Sequence, residues 1–275
     1  MPRVTVIIPT YNWSTVLPFS IGSVLAQTFT DFELLVIGDG CTDDSETVVR
    51  AIGDPRVQWI NIARTGHQSG PNNEGLRRAR GEIIAYLGHD DLWLPHHLAL
   101  HVAGIDRSTD LTVTLAAMIG PDDSFIESPR PDLSRGSGIV PGTIAHRRGA
   151  VSGWRDFREL TEPPERELIR RIVASGARTV VLPRLTLLKL SAALRRDVYR
   201  IRPAHEQSAW LARIRAEPDL EAALFGRMLA ANTHYLDGTA QRLWRLLRQP
   251  SQWWAFMWRR GGNQIRARQR FKGVD

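Results

Sequence analysis

Lysine is almost missing from this chain. Only Lys189 and Lys272 occur among 36 basic residues in 275, so arginine carries nearly all of the positive charge. Cysteine is scarcer still: Cys41 stands alone, which excludes an internal disulfide and fits a reducing compartment. No apolar run of about 18 residues or more occurs, so nothing reads as a bilayer-spanning helix. The start of the chain offers a short apolar strand after one arginine, not the n-, h- and cleavage regions of a secretory leader, and no leader is expected. No G-x-G-x-x-G follows the first apolar strand, which excludes a dinucleotide-binding dehydrogenase. No Gly-rich, Lys-containing loop follows it either, which argues against nucleotidyl transfer. Internal repeats and low-complexity segments are absent as well.

The residues that are present describe an ordinary globular interior. A 43% hydrophobic and 24% charged composition, over 275 residues, allows one large α/β domain or one domain with an appendage. Net charge is +7 and the pI about 10.4, which suits acidic partners such as phosphorylated substrates, anionic lipid or nucleic acid.

Periodicity divides the first third cleanly. Residues 4–8 form a β-branched run, residues 14–27 have helical spacing, and residues 33–37 form a second buried strand. Thr42 is the expected N-cap of a helix reaching about Ile52. Residues 57–62 read as a third strand, 72–80 as a helix and 82–87 as a fourth strand. This β-α-β-α-β alternation predicts a mostly parallel sheet covered on both faces. Further on, 94–105 read as helix, 111–119 as strand, 121–142 as a loop rich in Pro, Gly, Ser and Asp, and 143–148 as a short strand. Residues 162–175 read as a helix with Pro164 in its first turn, 178–182 as a strand, and the chain beyond Ala204 as helical, with turns near Pro218, Gly238 and Pro250.

Ligands of open α/β sheets bind outside the carboxyl ends of the strands. Polar clusters sit at three such ends: Pro9, Thr10, Tyr11 and Asn12 after the first strand, Gly38, Asp39 and Gly40 after the second, and Gly88, His89, Asp90 and Asp91 after the fourth. The adjacent carboxylates of Asp90 and Asp91 close a buried strand, where charge is costly, so a compensating cation is expected. Mg²⁺ or Mn²⁺ suits carboxylate oxygen and needs one or two protein carboxylates when a diphosphate supplies the rest. The plainer reading, a solvated turn or helix cap, uses the same residues.

Three segments, VTVIIPTYN (4–12), SVLAQTFTDFELLVIGDGCTDD (23–44) and ARGEIIAYLGHDDLWLPHHL (79–98), together resemble glycosyltransferase family 2. The resemblance is clear over about residues 4–100 and runs on to about 205. It implies the GT-A fold, a Rossmann-like α/β sheet flanked by helices. A GT-A domain over 1–205 is expected, with a nucleotide-sugar half to about 120 and an acceptor half after it. A basic helical extension would fill 206–275. The implied reaction is an inverting, metal-assisted displacement that moves one sugar from a UDP or GDP type donor to a saccharide or lipid-linked hydroxyl acceptor. Pro9, Thr10, Tyr11 and Asn12 then match the first nucleotide contact, with Tyr11 stacking on the base or packing under the sheet. Asp39 matches a base contact, and Asp90 the metal ligand. Asp91 and His205 are further metal candidates, and His89 a nucleoside neighbour or a turn residue.

The chain departs from the family at three positions: Gly38 and Gly88 stand where acids are usual, and Pro71 where an Arg often lies, for which Arg64 or Arg77 would substitute. An inverting transfer needs a base. The family's acid ahead of an acid-Leu-x-x-Arg helix matches Glu165, with Glu167 second and Glu162 third, although acids in a first helical turn also complement the dipole. Trp154 reads either as a platform for an acceptor sugar or as core. The Gln-x-x-Arg-Trp signature of processive synthases is missing, which favours transfer of one sugar over polymerisation. The Trp- and Arg-rich stretch 241–270 reads as a peripheral contact with the inner face of a membrane, a packing surface or a homodimer contact. It lacks any RNA-recognition signature, so nucleic acid is not an expected partner. A cytoplasmic enzyme of cell-envelope polysaccharide or glycolipid synthesis is therefore expected. The alternative is a catalytically silent nucleotide-sugar-binding or membrane-associated scaffold of the same fold.

Overall fold

The computed structural model describes residues 1–120, 125–126, 131–190 and 205–233. Strand β1 (Val4–Thr10) is followed by α1 (Leu17–Leu25), β2 (Phe32–Asp39), α2 (Ser45–Ala51), β3 (Val57–Ile62), α3 (Ser69–Arg78) and β4 (Ile83–Tyr86). Then come β5 (Leu92–Trp93), α4 (His97–Gly104), β6 (Leu111–Ile119), β7 (Phe125–Ile126), β8 (Ile144–Arg147), α5 (Pro164–Ala174), β9 (Thr179–Lys189), α6 (His205–Ala216) and α7 (Leu220–Thr233). The strands form one sheet in the order β3-β2-β1-β4-β8-β6-β9-β5, with β7 on β6. β3, β2, β1 and β4 run parallel, as do β6 and β9; β8 lies antiparallel between β4 and β6.

β1 and β2 are buried on both faces, so alternate side chains feed two cores. Val4, Val6 and Ile8, with Leu34 and Val36, pack against Leu17, Ile21 and Val24 of α1. Ile7, with Leu35 and Ile37, joins the second core, where α3 approaches closely enough that a Cβ at Gly75 would lie 2.6 Å from Ile7 Cγ2; Leu168, Ile169 and Ile172 of α5 belong to the same core. Each such side chain contributes about 1.5–3 kcal/mol on full burial. The same double burial gives these strands their uninterrupted apolar look in the sequence.

Two local details depart from the expectations. Thr42 does not cap α2; Asp44 stands at the N-cap, and Asp43 Oδ1 accepts the Ser45 N–H at 3.1 Å. The Thr42 hydroxyl instead accepts a bond from Asn12 Nδ2. The strand expected to end at Leu182 continues to Lys189, straight through Pro183. Val113 pairs with Val181 and Leu115 with Leu185, so Leu182, Pro183 and Arg184 bulge opposite the single Thr114. A bulge removes the need for a ladder N–H at proline. Beyond it, Leu188 pairs with Leu92 of β5, and this brings Lys189 to the segment between β4 and β5.

The described residues up to Phe225 belong to one compact unit. Within it, α6 packs Leu211 on Gly22 of α1, where an added Cβ would lie 3.3 Å from Leu211 Cδ2. The stretch 241–270 lies outside the described residues.

Candidate active site

A cavity of about 310 Å³ opens at the carboxyl ends of the parallel strands. Pro9, Thr10 and Tyr11 from β1, Asp39 from β2, and Gly88, His89 and Asp90 after β4 line it. The chain leading into α3 adds Arg64, His67, Gln68 and Pro71, and β9 adds Lys189. The three loops therefore do converge on one cleft.

Asn12 and Asp91 are not on the wall, and each has a definite structural task. Asn12 takes a left-handed φ of 54°, and its Oδ1 accepts the N–H groups of Thr42 and Asp43 at 2.8 and 3.3 Å, tying the β1 loop to the β2 loop. Asp91 Oδ2 accepts from Lys189 Nζ at 2.8 Å, and its Oδ1 from the Leu190 N–H at 3.1 Å. Burial pushes the Asp91 carboxyl up to about 6, against the pull of Lys189 and with the push of Asp90. Burial favours the neutral Lys189 amine, but the two carboxylates outweigh it and hold the pKa above its ordinary value. At neutral pH the pair is charged.

Asp90 is different. It is only 6% exposed, yet among the described residues its one polar neighbour is Lys189 Nζ, 3.8 Å from Oδ1. Asp90 is thus a buried carboxylate on the cavity wall with no donor at hydrogen-bonding distance among the described residues. Among the described residues, no group of three His, Cys, Asp or Glu side chains could hold a metal ion. His205 begins α6, but its side chain is not among those described.

Asp39 is also fully engaged. Its Oδ1 accepts from the Thr65 N–H and hydroxyl, both at 2.7 Å, and its Oδ2 from the Gly66 N–H at 2.8 Å. It thus shapes the wall by holding the chain before α3. Arg64, in the same segment, lays its guanidinium 3.5 Å from the centre of the Tyr11 ring, so one ring face is already covered. The Thr10 hydroxyl and His67 Nδ1, both on wall residues, are buried without hydrogen-bond partners among the described residues. His89 stacks on Trp13 at 4.6 Å.

Steric room explains two of the unusual glycines. A Cβ at Gly38 would lie 2.6 Å from Asn61 Oδ1 and 2.7 Å from the Trp59 ring. One at Gly88 would lie 2.5 Å from Asp91 Oδ2, which is where Asp91 turns toward Lys189. Of the two arginines considered as replacements for one at Pro71, Arg64 is on this wall and Arg77 is not.

The two glutamates of α5 separate. Glu167 is bonded to Arg171 at 3.0 and 3.2 Å and paired with Arg155 at 3.3 Å. Glu165 Oε2 accepts from Gln68 Nε2, on the cavity wall, at 3.4 Å, and its charge is felt by Lys189. Glu162 pairs with Arg166 and Arg170. Trp154 is core: it is 4% exposed and stands edge-on to Tyr86.

The profile described as "Glycosyl transferase family 2" matches residues 5–155. The chain belongs to glycosyl transferase family 2. Within that family it is 34% identical over 136 residues to an uncharacterized glycosyltransferase of Nostoc sp., covering 43% of this chain and 42% of the relative. It is 33% identical over 100 residues to WfgD of Escherichia coli, a UDP-Glc:alpha-D-GlcNAc-diphosphoundecaprenol beta-1,3-glucosyltransferase, covering 36% and 40%. The chain spans about two fifths of the length of these curated relatives.

Solved structures carry the fold comparison over more of the chain. S. aureus TarS 1-349 in complex with UDP-GlcNAc superposes with a TM-score of 0.59 at 20% identity, covering 84% of this chain and 72% of TarS. The mannosyltransferase PcManGT from Pyrobaculum calidifontis, in complex with GDP-Man and Mn2+, gives 0.59 at 20%, covering 93% and 84%. The mixed sheet flanked by helices is the GT-A fold of these glycosyltransferase structures.

Proposed function

We propose that the protein transfers one sugar, with inversion, from a nucleotide-diphosphate sugar to a hydroxyl of a saccharide or lipid-linked acceptor. Cell-envelope polysaccharide or glycolipid synthesis is the setting this suits. The observation that carries the reading is the single cavity that gathers Asp90, Lys189 and the β1 and β2 strand ends, with Glu165 joined to its wall through Gln68. Ligand complexes of the two structural relatives, with UDP-GlcNAc and with GDP-Man and Mn2+, support a nucleotide-sugar donor.

The donor set fits a hard divalent ion held by the Asp90 carboxylate, with diphosphate oxygens completing its shell. Such an ion would supply Lewis-acid stabilisation of charge on the leaving group. The chain's own groups do the rest. Lys189 offers a fixed ammonium beside the same position. The uncapped N-terminus of α3, entered by the wall residues Gln68 and Pro71, offers backbone dipole to an anion. Thr10 offers a buried hydroxyl with no hydrogen-bond partner among the described residues.

In the reaction the acceptor oxygen attacks the anomeric carbon as the bond to the diphosphate oxygen breaks, and the bonding pair leaves with the nucleoside diphosphate. Glu165 takes the acceptor proton. Glu167, held by two guanidiniums, is a poorer base, because proton uptake there would break both pairs.

The silent-scaffold alternative drew on Gly38, Gly88 and Pro71. The first two are matched by neighbours that fill the space, and Arg64 supplies a guanidinium on the wall. Peripheral attachment to the inner face of a membrane remains part of the proposal; no helix among the described residues is long and apolar enough to cross one. Incubation with UDP- and GDP-sugars, Mn²⁺ and lipid-linked or saccharide acceptors tests the reading by NMR of the product linkage. An α-linked donor should give a β-linked product; binding of nucleotide with no turnover of any sugar would favour the silent scaffold.

A further inference from the structure

A second cavity, of about 460 Å³, shares no lining residue with the first. Asn73, Leu76 and Arg77 of α3, Arg148 and residues 151–155 after β8, and Arg171 of α5 enclose it. Along α3 it begins where the first cavity stops, and Pro71 and Arg77 are separated by roughly 9 Å of helix rise.

Four of its ten lining residues are arginine, about three times their share of this Arg-rich chain. They come from separate parts of the fold, so no helical repeat explains the grouping. Two carboxylates stand nearby, and both are shared. Glu74 serves Arg77 and Arg78, and Glu167 serves Arg155 and Arg171. The wall therefore keeps an excess of positive charge.

The arginines also differ in how far they are used. Arg171 spends its donors on Glu167, Ser152 Oγ and the Gly153 carbonyl, so it frames the loop. Asn73 fixes the same loop from the other side, donating to the Trp154 carbonyl at 2.8 Å and accepting its N–H at 2.7 Å. Gly153, with φ 126°, permits that approach: a Cβ there would lie 2.9 Å from Asn73 Oδ1. Arg155, in contrast, pairs with Glu167 at 3.3 Å, and no hydrogen bond from its side chain is recorded among the described residues. Among the described residues, Arg148 makes one long side-chain bond, to the Ala79 carbonyl at 3.3 Å, and Arg77 is bonded through Nε and Nη2 only. Planar forks with spare N–H groups on a rigid, positively charged wall match phosphate oxygen.

We propose that this cavity is a phosphate-binding site, separate from the donor cavity, in which Arg77, Arg148 and Arg155 grip a phosphate or diphosphate group. The group comes either from a soluble phosphorylated molecule or from a lipid headgroup. The site stands apart from the transferase reading and survives or falls on its own test.

Titration calorimetry of the full chain with inorganic pyrophosphate tests it, with the donor cavity empty and then saturated by UDP or GDP with Mn²⁺. Pyrophosphate should still bind under saturation. Arg148→Gln/Arg155→Gln should weaken it by about tenfold or more while leaving nucleotide affinity unchanged. Arg77→Gln, at a two-thirds exposed side chain, provides a second variant should the pair fail to fold, and should weaken binding in the same direction. Vesicles containing an anionic phospholipid distinguish the sources. Arginine-dependent vesicle binding assigns a headgroup; pyrophosphate binding without vesicle binding assigns a soluble phosphate. Displacement of pyrophosphate by nucleotide, or binding indifferent to the arginines, would overturn the proposal, and neither result bears on whether nucleotide binds.

Discussion

Lys189 Nζ lies 2.8 Å from Asp91 Oδ2 and 3.8 Å from Asp90 Oδ1, so the last residue of β9 balances the acidic pair that follows β4. The two carboxylates thereby acquire different duties: Asp91 anchors the turn, and Asp90 faces the cavity.

Removing that ammonium should be costly. Lys189→Met leaves Asp91 buried and unpaired, and we expect a loss of about 3–5 kcal/mol in urea unfolding. Lys189→Met/Asp91→Leu should recover much of the loss, because neither charge then remains to be desolvated.

Glu165 and Glu167 should respond in opposite ways. Glu165→Gln is expected to lower kcat by about 10²–10⁴-fold with little change in nucleotide affinity. Glu167→Gln should instead reduce stability by about 1–3 kcal/mol, since it withdraws a carboxylate from Arg155 and Arg171. Steady-state kinetics beside thermal unfolding separates the two.

Restoring the family's usual acids should harm the protein. Gly88→Asp would drive a Cβ against Asp91, whose oxygens are both held, and Gly38→Asp would meet Trp59 and Asn61. We expect each to cost about 1–3 kcal/mol by calorimetry, with Gly88→Asp also lowering nucleotide affinity.

Stability should fall on mild acidification. His97, His101 and His146 are fully buried, and burial holds His97 well below its ordinary value, His101 at about 3 and His146 at about 4. His97 and His101 meet the hydroxyls of Thr186 and Thr112, and His146 meets Tyr86 and the Arg147 carbonyl. The unfolded chain therefore binds more protons than the folded one below about pH 6.5, and stability rises with pH across the window down to the folded values. Asp91, whose folded pKa is raised to about 6, works in the opposite direction between its ordinary value and 6, one proton against three. Net loss should begin near pH 6.5 and be shallower in His101→Asn, measured as urea midpoints against pH.

Much of this was readable in the chain itself. β1 to β4 sit within two residues of where apolar runs predict them, because strands buried on both faces leave continuous hydrophobic signals. The convergence at Tyr11, Asp39 and Asp90 followed from the parallel order of those strands. Long-range pairing was hidden. β5 has only two residues, too short for a periodic signal, and Pro183 looked like the end of a strand that in fact bulges around it. Lys189 was missed for that reason. Its signal was compositional: one of two lysines in a chain that uses arginine everywhere else. The separate fates of Asp90 and Asp91, and of Glu165 and Glu167, depend on partners up to 99 residues apart, such as Asp91 with Leu190.

Calorimetric titration of the wild-type chain and Asp90→Ala with UDP and GDP, each with and without Mn²⁺, tests the donor site most directly. Metal-enhanced binding of one nucleotide to the wild type, lost in Asp90→Ala with the fold intact, is the predicted result. Equal affinities in the two proteins would contradict it.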